Sequence, residues 1–174
     1  TFSVLSFTSI RSALRTNWID VGSGAAYDGA LLRMIGWKAM EMEAYRMLVD
    51  WFGSEHVAPR AWKSVSSAAA SFRVERSDDA SRSTSVMGFA GLSPAEANLV
   101  RPQEALVAGR WLSEGEMDVC LLSAGTADSL GIAAVDVGRT RVRIFGEDFR
   151  VIGILQDAAL ERSDLNGEGL TPLD

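Results

Sequence analysis

The sequence predicts an α+β fold in which short strands and hairpins alternate with a few short helices, without a regular repeat of one unit. Three observations predict it. Residues 40–53 carry an amphipathic pattern with a helical period. Short apolar or alternating runs recur along the rest of the chain. Gly, Pro and Ser clusters separate nearly all of these runs. At 174 residues, 47% hydrophobic and 23% charged, the composition is that of an ordinary globular protein of one domain.

The uncharged stretch TFSVLSFTSI, residues 1–10, is followed by Arg11 and Arg15. It is too short to span a bilayer alone, which takes about 20 apolar residues. Two readings fit it: the end of a longer membrane helix with arginines at the membrane surface, or a buried strand rich in Phe, Val, Thr and Ile. It carries neither a basic leader nor a small-residue cleavage site, so it does not read as a signal peptide. Next, NWIDVGSG and YDGALLR read as short strands around a Gly-rich turn. MEMEAYRMLVDWFG, residues 40–53, is a helix with Met40, Ala44, Met47, Leu48 and Trp51 on one face, which predicts Trp51 in the core. Glu41 and Glu43 favour its first turn and Gly53 its end. With HVAPRAW as the following strand, this region predicts a β-α-β layer.

SVSSAAASFRVER and TSVMGFAGL predict a hairpin whose loop is the polar SDDASRS. SPAEANLV predicts a helix with Ser93 as N-cap, Pro94 in the first turn and Glu96 closing a capping box, limited to about two turns by Pro102. VCLLS is a buried strand and AGTADSL a brief helix stopped by Gly131. TRVRIFGEDFRVIGIL predicts a hairpin turning at Gly146–Asp148, with Val142 and Ile144 inward and Arg141 and Arg143 in water. The aperiodic tail ERSDLNGEGLTPLD, residues 161–174, reads as a linker.

A formal charge of −6 provides no positive field for nucleic acid. Cys120 stands alone, so no internal disulfide is predicted. Gly22 and Gly24 follow a strand, but Tyr27 holds the place of the third glycine of a dinucleotide fingerprint, and the stretch reads as a turn. Asp164, Asn166, Glu168 and Gly169 match the first half of a calcium loop, yet LTPLD follows and no helix flanks it. A nucleophilic triad or dyad would have to use His56, the single histidine, which reads as a surface residue at a helix end. One His and one Cys do not make a zinc site, and no carboxylate pair is singled out. No catalytic, cofactor or metal residue is therefore named. Of the tryptophans at 18, 37, 51, 62 and 111, Trp37 and Trp111 are the candidates for a partner surface, because aromatic side chains dominate interface energetics.

Residues 109–154 carry a Gly-Arg-aromatic turn at Gly109–Trp111 and a strand and short helix over Val119–Leu130. A Val-Gly-Arg-Thr step at Val137–Thr140 and a hairpin arm at Phe149–Ile154 complete the series. In order and spacing this resembles the extracytoplasmic, MacB-like periplasmic core domain of FtsX-like ABC-transporter permeases. GLSPAE and YDGALLRMIGW resemble upstream segments of some of them. Cys120 departs from the pattern, which has an aliphatic residue there. The resemblance implies a mixed α/β Porter-like lobe with a second small α/β lobe, roughly 78–135, inserted in a core domain over 11–160. Residues 1–10 would then be the end of a transmembrane helix, and 161–174 a linker toward the next. It also implies a non-catalytic domain on the periplasmic side of the inner membrane, coupling helix motion to a lipoprotein, peptide or drug-like substrate. Its partners would be the parent permease as homodimer or heterodimer, a separate cytoplasmic ATPase and a periplasmic adaptor or substrate, with no cofactor and no nucleic acid. Consistent with that division of labour, the chain contains no Walker A loop. The alternative reading is a free-standing extracytoplasmic binding module with the same fold.

Overall fold

Turn-forming residues cut the chain into short elements, which a computed structural model describes over residues 19–21, 30–32, 41–65 and 68–160. Strands β1 (Ile19–Val21) and β2 (Ala30–Leu32) precede helix α1 (Met42–Phe52), a 3-10 turn at Ser54–His56 and β3 (Arg60–Ser64). Then come β4 (Phe72–Arg76), β5 (Ser83–Val86), β6 (Gly88–Leu92) and helix α2 (Glu96–Leu99), with a 3-10 turn at Pro102–Ala105. The last part contains β7 (Leu106–Gly109), β8 (Val119–Ser123), α3 (Ala124–Ser129), β9 (Arg141–Ile144), β10 (Glu147–Leu155) and α4 (Asp157–Leu160).

Six strands form the main sheet, in the order β5-β4-β9-β10-β7, with β8 also paired to β10. All its pairings are antiparallel except β8 with β10. β10 is the hub because its nine residues are long enough to serve three neighbours: β9 along Glu147–Arg150, β7 along Gly153–Leu155, and β8 along Arg150–Leu155. The β9–β10 turn occupies Phe145 and Gly146, one residue earlier than the sequence predicts. Both have positive φ, 55° and 88°, as a two-residue hairpin turn requires.

Two apolar clusters flank β10. Val74, Val142, Ile144, Val151 and Ile154 meet Leu122, Ala127, Leu130 and Ile132 in the larger one, so α3 covers one face of the sheet. Val100, Ala105, Trp111, Leu155 and Leu160 make the second. Ser123 Oγ caps α3 by accepting from Thr126 N at 3.3 Å, as its place before AGTADS requires.

Several expectations are corrected. β1 pairs with β2, and β3 pairs with β6, antiparallel in each case, so the described residues contain no β-α-β layer. Helix α1 forms as its period dictates, but none of its residues is buried. Trp51 is 41% exposed, and Met42 and Phe52 are exposed too, so Trp51 is not a core residue. Ser93 and Glu96 do not form a capping box. Residues 93–95 make a turn, Ser93 Oγ is buried without a partner among the described residues, and the Glu96 carboxylate is taken instead by Arg60. A buried carboxylate beside a guanidinium gains more from that ion pair than from one backbone N–H. Strands β5, β7 and β8, from the stretch 78–135 expected to form the second lobe, pair with β4 and β10 from outside it, which is a matter of pairing and leaves the two-lobe division as an expectation. Residues 1–10 and 161–174, with the membrane-helix and linker readings placed on them, lie outside the described residues.

Candidate functional site

The short sequence patterns in the C-terminal half converge on β10. β7 ends at Gly109, which lies opposite Gly153 in the register with β10. A Cβ at Gly109 would run into the Ile152 carbonyl oxygen and lie 2.7 Å from Gly153 Cα, and φ is 81°, so only glycine allows this approach. Arg110 continues the pairing, its N–H donating to Ile152 O at 3.0 Å. The Val137–Thr140 step holds the same strand from elsewhere: Gly138 N donates to Val151 O at 2.7 Å, and Val151 N donates to Thr140 O at 3.0 Å.

Trp111 turns inward. It is 8% exposed and packs in the second apolar cluster against Val100, Ala105, Leu155 and Leu160, with its indole N–H lacking a partner among the described residues. The expectation that Trp111 offers a partner surface is therefore corrected. Two residues past the end of β7, the Trp111 ring lies in the apolar cluster while Arg110 stays exposed. Trp37 and Trp18 lie outside the described residues.

Arg110 and the loop after it open the polar face of the sheet. Its guanidinium holds Glu116 in a fork, Nη2 to Oε1 at 2.6 Å and Nη1 to Oε2 at 2.8 Å, and also donates to Ser113 Oγ at 3.2 Å. Arg150 Nη2 approaches the same Glu116 Oε1 at 3.5 Å. Arg141 Nη2 donates to Asp118 Oδ2 at 3.1 Å and to the Asp148 carbonyl at 2.8 Å. Arg143 Nε donates to Asp148 Oδ1 at 3.0 Å, and Ser77 Oγ to that same oxygen at 2.9 Å. Arg143 Nη1 lies 3.9 Å from Glu75 Oε1, whose other oxygen is 3.0 Å from Arg73 Nε. Five arginines and four carboxylates thus line the face of β4, β9 and β10 opposite the larger apolar cluster, in a chain whose overall charge is −6.

These contacts set the charge states. The Arg143 guanidinium, helped by the Ser77 hydroxyl, holds Asp148 below the usual carboxylate range. Arg110 does the same for Glu116, and Arg141 for Asp118. Met117 stands between the two tethered acids and is 90% exposed.

Among the described residues, those considered for chemistry do not assemble; Gly22, Gly24, Tyr27 and the Asp164–Gly169 stretch lie outside them. His56 is exposed, its Nε2 3.6 Å from Glu55 Oε1. Burial pushes the Cys120 thiol up to about 12, away from nucleophilic use. The described residues contain no group of three or more His, Cys, Asp or Glu able to hold a metal ion. They also contain no helix long and apolar enough to cross a membrane. The paired arginine face was legible only in part. Arg141 and Arg143 alternate within one strand, but Arg110, Glu116, Asp118 and Arg150 meet them only through the pairing of β8 and β9 with β10.

The family model of the MacB-like periplasmic core domain matches residues 3–171. The chain belongs to the MacB-like periplasmic core domain family. Among solved structures it is similar to the periplasmic region of MacB from Actinobacillus actinomycetemcomitans, with a TM-score of 0.54 at 17% sequence identity. The likeness covers 77% of this chain and 60% of that one, and at this identity it shows a shared fold. No curated protein matches the sequence. A MacB-like core domain accounts for the mixed helix and sheet content. The Gly109–Trp111 and Val137–Thr140 steps, on which the sequence resemblance rests, are here the places where loops fasten onto the hub strand.

Proposed function

We propose that this MacB-like core domain is the extracytoplasmic, non-catalytic part of an ABC-transporter permease, coupling movement of transmembrane helices to substrate or partner handling outside the membrane. The family match over residues 3–171 carries this reading. The geometry supports it. The paired arginines are gathered on one face of the sheet built on β10, beside the exposed Met117 in the loop before β8. Transmission of force suits such an arrangement, because a load applied at either end of β10 is shared with three neighbouring strands. ATP hydrolysis then belongs to a separate cytoplasmic ATPase. The permease works as a homodimer or heterodimer, and the material moved is a lipoprotein, a peptide or a drug-like molecule delivered with or without a periplasmic adaptor.

The experiment is to read the parent gene on both sides of this stretch and to map the topology of the expressed protein by cysteine accessibility from each side of the membrane. The proposal expects apolar segments of about 20 residues on both flanks, with the domain labelled only from outside. Polar flanks would replace it with a free-standing extracytoplasmic binding module.

A further inference from the structure

Arg141 and Arg150 face one another across the antiparallel β9–β10 pair. Side chains directly opposite have Cβ atoms about 5 Å apart, and like charges there are destabilising. The neighbouring acids relieve this only partly. Arg141 donates through Nη2 alone, leaving Nε and Nη1 unused among the described residues. Arg150 meets Glu116 only through Nη2 at 3.5 Å, and its Nε is buried without a hydrogen-bond partner among the described residues. Two arginines that are direct cross-strand neighbours therefore each keep donors unused among the described residues. The planar fork of donors that each presents matches a carboxylate.

The site lies on an open sheet face with both side chains part-exposed, and beside it Met117 projects into solvent from a loop pinned by Arg110 and Glu116. A flat, arginine-rich surface beside a flexible apolar side chain fits a macromolecular partner better than a small ion. We propose that the Arg141–Arg150 pair docks the carboxylates of an acidic segment of an extracytoplasmic protein, with Met117 taking an apolar side chain of that segment. The occupant follows from charge complementarity: the pair offers unused cationic donors on a face where every carboxylate is already engaged. This deepens the reading of the chain as a partner-handling domain.

The test titrates a fluorescein-labelled peptide of alternating Glu and Leu into the full chain and follows anisotropy. The same titration is made with a Gln-for-Glu peptide. Arg141→Gln/Arg150→Gln is compared with Arg46→Gln/Arg101→Gln, which removes the same charge elsewhere on the surface, and thermal melting checks that each variant folds. Arg141→Lys/Arg150→Lys keeps the charge while removing the forks. The expected result is salt-sensitive binding of the acidic peptide to the wild type and to the Arg46/Arg101 variant. Binding should be weaker by about tenfold or more in the Gln pair, which is ~1.4 kcal/mol, and intermediate in the Lys pair. Equal binding by the Gln pair, equal binding of the Gln peptide, or no binding to the wild type would overturn the proposal. Full displacement by inorganic phosphate would overturn it as well, reassigning the pair to a small anion. Failure here leaves the permease reading standing, since that reading is tested by the flanks of the gene. Polar flanks with positive binding would leave a soluble module that captures acidic segments.

Discussion

Arg60 on β3 grips the carboxylate of Glu96, the first residue of α2, in two parallel hydrogen bonds of 2.5 and 2.9 Å, and Glu96 is 0% exposed. The pair pins the β3–β6 ribbon to α2 and fixes their register. Removing one member of a buried ion pair costs more than removing both, because it strands a desolvated charge. Glu96→Ala is expected to destabilise the domain by about 3 kcal/mol or more, and Arg60→Met/Glu96→Leu by clearly less. Urea unfolding of the three proteins checks this, and an equal loss in the single and double variants would refute it.

Gly109→Ala forces a methyl group onto the backbone of β10 at a positive φ. A loss of about 2 kcal/mol or more is expected from strain and displacement together. Gly115→Ala makes a useful comparison, since its φ is also positive, 78°, but no atom lies within 4 Å of a Cβ there. Its smaller loss in thermal melting would isolate the contribution of close approach.

The ring of Phe145, 64% exposed at the hairpin tip, lies 5.3 Å from the rings of Phe72 and Phe89. Its backbone occupies the left-handed region that Asn and Gly favour. Phe145→Asn exchanges ring packing for relief of strain, terms of about 1 kcal/mol each, and is expected to change stability by less than ~1 kcal/mol. Phe89→Ala relieves no strain and is expected to cost about 2 kcal/mol. Chemical denaturation of both variants separates the two cases.

Asp148, Glu116 and Asp118 have folded pKa values held below their unfolded ones by arginine hydrogen bonds. Their contribution to stability is complete above the unfolded values, 3.8 for the aspartates and 4.5 for the glutamate, and is lost as pH falls through the lower folded values. Melting temperature is expected to fall on acidification below about pH 4.5, and less steeply at high salt because the pairs are exposed. An acid titration by circular dichroism at two salt concentrations tests both expectations.

Cys120 belongs to the partly buried rim of the larger apolar cluster, and its thiol sits near 12 rather than 9.0. Iodoacetamide is expected to alkylate it at least about tenfold more slowly in the native protein than in urea, since burial lowers both its thiolate fraction and its access. Mass spectrometry of timed samples measures the ratio.

Local patterns were read well where local geometry decides. Val142 and Ile144 face inward and Arg141 and Arg143 outward, as period-two alternation requires, and α1 ends beside Gly53 as its glycine predicts. Misreadings arose where a distant residue competes. Glu96 looked like a cap because the motif is local, whereas Arg60 reaches it from 36 positions away. Trp51 followed the phase of its helix, but phase shows which side is apolar and not whether anything lies against it. Trp111 looked available because tryptophans recur at interfaces, yet its ring fills the gap between β10 and the elements around residues 100 and 160. The arginine pair had no sequence signature, since 141 and 150 become neighbours only once the hairpin closes.

β10 is the last of the described strands and also the one to which β7, β8 and β9 are joined. During synthesis or passage through a translocon, β7, β8 and the outer edge of β9 emerge first and must wait unpaired until β10 is free, although β5, β4 and β9 can already pair with one another. The sheet then closes by long-range pairing, which is slow because the connecting loops lose entropy before contacts form. A chain cut between β9 and β10 should stay open and be caught by proteases and holdases, whereas one cut after α4 should be able to close the sheet.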